Sequence, residues 1–181
     1  MVKGLFVLAD GFEDTEALTT RDVLLRAGIE IVTCSIKDET SVVSSFGVEM
    51  FADINCNNLN FNEYDFICLP GGGNGVRKLY SSSFVKDALK HFENKDMFAI
   101  CAAPAVLGKY GYLNNKRFTC YSGFEDGILG KYNGDEGVVI DGNIVTAKSM
   151  YYSIPFALAI VEVLLGKDES NKLEEILKGN N

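Results

Sequence analysis

An α/β fold, with a mostly parallel sheet covered by helices on both faces, is predicted by three features of the sequence. Apolar runs of strand length alternate along the chain with stretches of helical periodicity. Several of these runs are continuously apolar, as strands buried on both faces must be. Three of them end in abrupt turns, at Asp10-Gly11, at Pro70-Gly71-Gly72-Gly73-Asn74-Gly75 and at Cys101.

Taken in order, residues 3–9 read as a buried first strand that Asp10-Gly11 breaks. Residues 13–27 place Ala17, Leu18, Val23, Leu24 and Ala27 on one side of a helix, with Gly28 as its stop. Residues 29–36, rich in β-branched side chains, form a second strand. The polar turn 37–40 then leads to a short hairpin that pairs Val42-Val43 with residues 48–51. The asparagine-rich stretch 53–63 reads as a loop, and 64–69 as another apolar strand ending in the glycine-rich turn.

Ser81, Ser82 and Ser83 supply an N-cap for a helix with Phe84, Val85, Ala88, Leu89 and Phe92 on one face. Residues 96–100 form the strand that delivers Cys101, residues 102–110 the helix after it, and 117–120 a further strand. Segments 136–140 and 143–147 flank Asp141-Gly142, a hairpin signal. Residues 153–165 form a strongly apolar, buried helix that tolerates Pro155 in its first turn. Residues 167–178 form a more polar, amphipathic one. No repeat or linker divides the chain, so residues 1–181 read as one domain.

A chain of 181 residues can bury about two thirds of its unfolded surface without disulfides or metals. Hydrophobic residues at 47% and charged residues at 23% place it among globular proteins rather than disordered ones. A net charge of −8 repels a nucleic-acid backbone or an anionic membrane surface, so neither is an expected partner. About five apolar residues precede the acidic turn near the N-terminus, too few for a signal-peptide core. The expected location is the cytoplasm. The five cysteines have no paired spacing, which argues against a disulfide framework and a zinc site.

In an open α/β sheet the site lies at the carboxyl ends of the strands. Cys101 is the candidate nucleophile there: it stands at a sharp turn, where the N–H groups and dipole of the next helix would stabilise a thiolate. The glycine-rich turn is neither a dinucleotide fingerprint nor a P-loop. Its glycines suit backbone N–H groups that face a reacting atom at close range, and a plain tight turn is the other reading. Glu16, one turn into the first helix, could be held protonated by burial and serve as a proton shuttle; an acidic residue also simply suits a helix start. The one histidine, His91, falls near the end of the helix before the Cys101 strand, far from the strand tips. A Cys-His hydrolase therefore has no general base, and a histidine-ligated metal site has no ligand.

With these elements in order, the sequence resembles the DJ-1/ThiJ/PfpI superfamily, and more closely its DJ-1 branch. The resemblance rests on Gly11-Phe12-Glu13-Asp14-Thr15-Glu16, Asp22-Val23, Arg26-Ala27-Gly28-Ile29 and Tyr64-Asp65. It continues through Leu69-Pro70-Gly71-Gly72, Ala99-Ile100-Cys101-Ala102 with Pro104, and Phe156-Ala157-Leu158-Ala159-Ile160-Val161-Glu162 with Leu164 and Gly166-Lys167. It implies a flavodoxin-like three-layer sandwich of the class I glutamine amidotransferase type, with Cys101 at a nucleophile elbow. It also implies a protonated glutamate at Glu16, oxyanion donors at the amides of Gly72 and Ala102, and a homodimer. Two departures matter. Ala102 stands where protease-like members carry a histidine, which argues against peptidase or glutaminase activity. Tyr121 stands where the DJ-1 branch usually has a histidine, and a phenol donates hydrogen bonds but is a poor base at neutral pH.

The expected function is that of a cofactor-free cysteine enzyme of glyoxalase III or protein deglycase type. Its substrates would be methylglyoxal-like α-oxoaldehydes or their adducts on glycated proteins, with Cys101 and Glu16 catalytic and Tyr121 and Gly73 in the pocket. The alternative is a non-enzymatic oxidative-stress sensor or chaperone that works through oxidation of Cys101.

Overall fold

The computed structural model describes residues 1–57 and 59–180. Asn58, within the stretch expected as a loop, and Asn181, at the end of the expected domain, lie outside the described residues. Strand β1 (Lys3–Leu8), helix α1 (Asp14–Arg26) and strand β2 (Glu30–Ser35) open the chain. The hairpin of β3 (Ser41–Val43) and β4 (Glu49–Phe51) and the short β5 (Ile54–Asn55) precede β6 (Phe66–Leu69). Helices α2 (Gly73–Ser81) and α3 (Ser83–His91) lead to β7 (Asp96–Ile100) and α4 (Pro104–Lys109). Strands β8 (Arg117–Phe118), β9 (Lys131–Tyr132), β10 (Val138–Asp141) and β11 (Ile144–Ala147) follow, then α5 (Ser153–Leu165) and α6 (Lys167–Leu177).

The main sheet runs β10-β11-β7-β6-β1-β2-β5, and within it only β10 is antiparallel to its neighbour. Because β1 has β2 on one side and β6 on the other, the tips of β1, β6 and β7 lie side by side at one edge. That is where an open α/β sheet forms a crevice.

Alternation along each strand explains the continuous apolar runs. In β1, Leu5 and Val7 join a core with Val76 and Leu79 of α2, Val85 and Leu89 of α3, and Val106 of α4. Phe6 and Leu8 point the other way, into a core with Val23 and Leu24 of α1, Phe156 and Ile160 of α5, and Leu173 of α6. Each fully buried side chain of this size contributes about 1.5–3 kcal/mol relative to exposure. Helices therefore cover both faces, as the sequence predicts.

Local signals hold at several boundaries. The Glu13 carboxylate caps α1 by accepting from the Glu16 N–H at 2.7 Å, Gly28 ends the helix at φ +76°, and Ser82 caps α3. Four expectations need correction. A helix, α2, starts inside the glycine-rich turn and carries few apolar side chains, so periodicity hides it. Within 53–63, two residues pair with the edge of β2 as β5, anchored by Asp53, whose carboxylate accepts from Thr33 N–H at 2.8 Å. The strand at 117–120 is only Arg117–Phe118, because the Thr119 N–H turns aside to the Thr146 hydroxyl and β8 pairs with the unforeseen β9. The helix after Cys101 begins only at Pro104. Among the described residues, no helix is long and apolar enough to cross a membrane.

Candidate active site

Cys101 directly follows β7 and adopts φ +64°, the left-handed region, shared only with Asn115 among the described non-glycine residues. Such a conformation costs on the order of 1–3 kcal/mol and persists only where its surroundings fix it. Here they do: the Cys101 N–H donates to Ala147 carbonyl at 2.8 Å, and the Cys101 carbonyl accepts from Tyr121 N–H at 2.7 Å. The N–H groups of Ala102 and Gly72 lie near the Cys101 thiol and favour its ionised form. Gly72 reaches this position because it adopts φ +93° and because a Cβ there would stand 2.7 Å from the Glu13 nitrogen.

Glu16 is buried, at 1% exposure, and its Oε2 accepts from the Gly71 N–H at 2.8 Å. Its Oε1 is buried without a partner of full hydrogen-bond geometry, and the neighbour able to exchange a proton with the carboxyl is the Cys101 thiol. Burial pushes Glu16 up to about 7, and the charge of Glu13 adds to the effect; the bonds from Cys101 and Gly71 oppose it. Burial, then the Glu16 charge and its bond, push the Cys101 thiol up as well, while the Ala102 and Gly72 amides pull it down. The expectation of a thiolate favoured by the helix dipole is thus corrected. Helix α4 has six residues and starts three positions away, and burial, followed by the carboxyl beside the sulfur, outweighs the Ala102 and Gly72 amides. The two neighbours titrate together: the Cys101 thiol eases ionisation of Glu16, while a Glu16 carboxylate hinders ionisation of Cys101, so the pair carries at most one negative charge near neutrality.

Gly71 lets these two groups meet. A Cβ at this position would lie 2.5 Å from Glu16 Oε2 and 2.6 Å from Cys101 Cβ. Gly71→Ala is therefore expected to destabilise the protein by about 1–3 kcal/mol and to shift the pH dependence of Cys101 alkylation. Thermal melting and iodoacetamide rates across pH measure both, and unchanged values in both would contradict this account of the pair.

Above the pair opens a cleft of about 470 Å³. Cys101, Ala102, Gly72, Gly73, Glu16 and Glu13 are among the residues that line it. Phe46, Tyr121, Phe124 and Met150 supply apolar surface around it. All the residues singled out from the sequence, including Tyr121 and Gly73, thus border one space. His91 does not: it ends α3 and packs on the rings of Phe61 and Phe92, at the opposite end of β7 from Cys101. Cys34, Cys68 and Cys120 are buried, and none of these three, nor Cys56, lines the cleft.

Sequence reasoning missed Ser45, Phe46, Phe124, Ser149 and Met150. Phe46 arrives through the β3–β4 turn, which is fastened over the site by Ser45 N–H to Phe12 carbonyl at 2.7 Å and Gly11 N–H to Val43 carbonyl at 2.7 Å. An aromatic residue inside a serine- and glycine-rich turn was the one available signal.

The chain is similar to known proteins over nearly its whole length. The model of the DJ-1/PfpI family matches residues 2–163. Protein dj-1beta of Drosophila melanogaster is 35% identical over 179 residues, 97% of this chain and 94% of its own length. A Caenorhabditis elegans protein named glutathione-independent glyoxalase DJR-1.2 is 32% identical over 165 residues, covering 89% of this chain and 87% of that one. The structure of oxidized Toxoplasma gondii DJ-1 superposes with a TM-score of 0.90 at 34% identity, covering 98% of both chains.

Proposed function

Because the chain belongs to the DJ-1/PfpI family, we propose that it is a cofactor-independent cysteine enzyme of glyoxalase III or protein deglycase type. Its substrates are methylglyoxal-like α-oxoaldehydes or their adducts on proteins. The observation that carries this reading is the buried Glu16 carboxyl, pushed up to about 7, beside a cysteine held at a strained strand tip. The name of the Caenorhabditis relative supports the same class of chemistry.

In this mechanism the pair's single negative charge is used on sulfur, with the proton on Glu16. The Cys101 thiolate forms a C–S bond to the aldehyde carbon, and the oxyanion is received by the Gly72 and Ala102 amides. Glu16 protonates that oxygen, then as carboxylate takes the hydrogen from the same carbon and delivers it to the neighbouring one. The hydroxyl proton passes to the second oxygen, leaving a thioester of the 2-hydroxy acid. Water breaks the C–S bond and restores the pair. Aldehyde plus water equals hydroxy acid, so no oxidant or cofactor enters.

The neutral carboxyl beside sulfur also supports a second reading, a redox sensor in which a Cys101 sulfinate accepts a hydrogen bond from Glu16. One experiment separates the two: lactate formation from methylglyoxal, together with intact mass after mild peroxide. Lactate release supports the enzyme. A stable gain of two oxygens on Cys101 with no lactate supports the sensor and sinks the enzyme.

The homodimer belongs to the same proposal. Leu18 and Leu25 on α1 and Val48 and Phe51 on the hairpin are exposed apolar side chains that a second copy would cover. Sedimentation velocity is expected to give twice the chain mass, and a monomer at micromolar concentration would count against it. Five free cysteines suit the reducing cytoplasm.

A further inference from the structure

We propose that the cleft is built for neutral aromatic α-oxoaldehydes, the arylglyoxals, in preference to methylglyoxal and to any aldehyde that carries a carboxylate. The inference rests on the glyoxalase reading above and adds the substrate class.

Size is the first argument. Methylglyoxal has five non-hydrogen atoms and fills on the order of 100 Å³, the space of about three waters at ~30 Å³ each. The cleft offers about 470 Å³, within the range of about 300–1,000 Å³ that suits much larger ligands. With methylglyoxal bonded to Cys101, most of the cleft would still hold water.

The surface chemistry says what fills the rest. Phe46, Tyr121 and Met150 are 82%, 50% and 48% exposed, yet all three face this space. Tyr121 and Phe124 already stand edge to face, with ring centroids 6.4 Å apart. A third ring entering beside them gains aromatic contacts and a sulfur–aromatic contact with Met150. An aryl group one carbon removed from the atom bonded to sulfur has this surface as its neighbour.

Charge excludes the alternative. Among the described residues, no lysine, arginine or histidine lines the cleft, whereas Glu13 does. Lys37 and Lys78 pair with Asp10, at 3.0 and 3.8 Å, and Lys148 donates to the Gly134 carbonyl at 2.6 Å. A carboxylate on the ligand would lose its hydration beside Glu13 with nothing to replace it. The chain's net charge of −8 opposes its approach.

The reaction is the one already described. The Cys101 sulfur bonds to the aldehyde carbon of phenylglyoxal, the hydrogen of that carbon moves to the carbon bearing the ring, and water releases mandelate.

The test compares phenylglyoxal, methylglyoxal and 4-carboxyphenylglyoxal as substrates for the full chain, with hydroxy-acid products quantified by chromatography. Expected is a kcat/KM at least tenfold higher for phenylglyoxal than for either of the others. Phe46→Ala, at an exposed turn position, should lower kcat/KM for phenylglyoxal at least threefold more than for methylglyoxal. Methylglyoxal or the carboxylated aldehyde matching phenylglyoxal overturns the proposal. If no aldehyde is turned over, the glyoxalase reading fails and ligand protection of Cys101 decides. Benzamide slowing iodoacetamide alkylation more than benzoate upholds a neutral aromatic site, and equal or absent protection overturns it.

Discussion

Cys101→Ser is expected to abolish lactate formation from methylglyoxal, lowering kcat by about a thousandfold or more, while the melting temperature stays close to wild type. Serine is a fair structural substitute because the strained backbone is held by main-chain bonds to Ala147 and Tyr121, not by the sulfur. It is a poor chemical substitute because a hydroxyl has no accessible anion at neutral pH, and Glu16, even pushed up to about 7, stays far too weak a base to create one. The other cysteines offer no rescue, since none of Cys34, Cys56, Cys68 and Cys120 lines the cleft. The variant should also lose any peroxide-dependent gain of two oxygens at this position. Activity within tenfold of wild type in the lactate assay would show that the chemistry lies elsewhere.

Much of this site was legible in the sequence because its parts sit at strand ends, where local signals are strong. The run Phe98-Ala99-Ile100 has to be a buried strand, and the small residues after it fix the turn at Cys101. Gly72 was singled out only through the family resemblance, and its close approach to the loop before α1 is visible only in the structure. What could not be read was anything set by contacts distant in sequence. Phe46 enters the cleft because Ser45 bonds to Gly11 and Phe12, more than thirty residues away. Helix α2 hid behind glycines, and the two-residue β5 and β9 had no hydrophobic period to reveal them. The protonation of Glu16 was legible only as a possibility of burial, and its pairing with Cys101 depends on the missing side chain of Gly71, visible only in three dimensions.

Glu16→Gln is expected to move stability and activity in opposite directions. Burial raises the Glu16 carboxyl from 4.5 to about 7, so between those values the folded protein binds a proton that the unfolded chain has released. The Glu16 contribution to stability is therefore full below about pH 4.5, falls as pH rises, and is lost above about pH 7. At about 1.4 kcal/mol per pH unit, the loss is about 3 kcal/mol. Glutamine has no proton to lose and still accepts from the Gly71 N–H. The variant should match wild type at pH 4 and exceed it by up to about 3 kcal/mol at pH 8. Denaturant unfolding at the two values measures this. Glu13→Gln keeps the oxygen that caps α1 and removes the charge that raises Glu16, so it should move the decline to lower pH without removing it. Meanwhile Glu16→Gln can no longer carry hydrogen between the two carbons, and kcat should fall about 10²–10⁴-fold. A residue retained only for packing would leave turnover intact when replaced by its isostere. A gain in stability at pH 8 together with lost turnover is what a buried proton shuttle requires, because the charge that makes Glu16 useful is the same charge that burial makes costly.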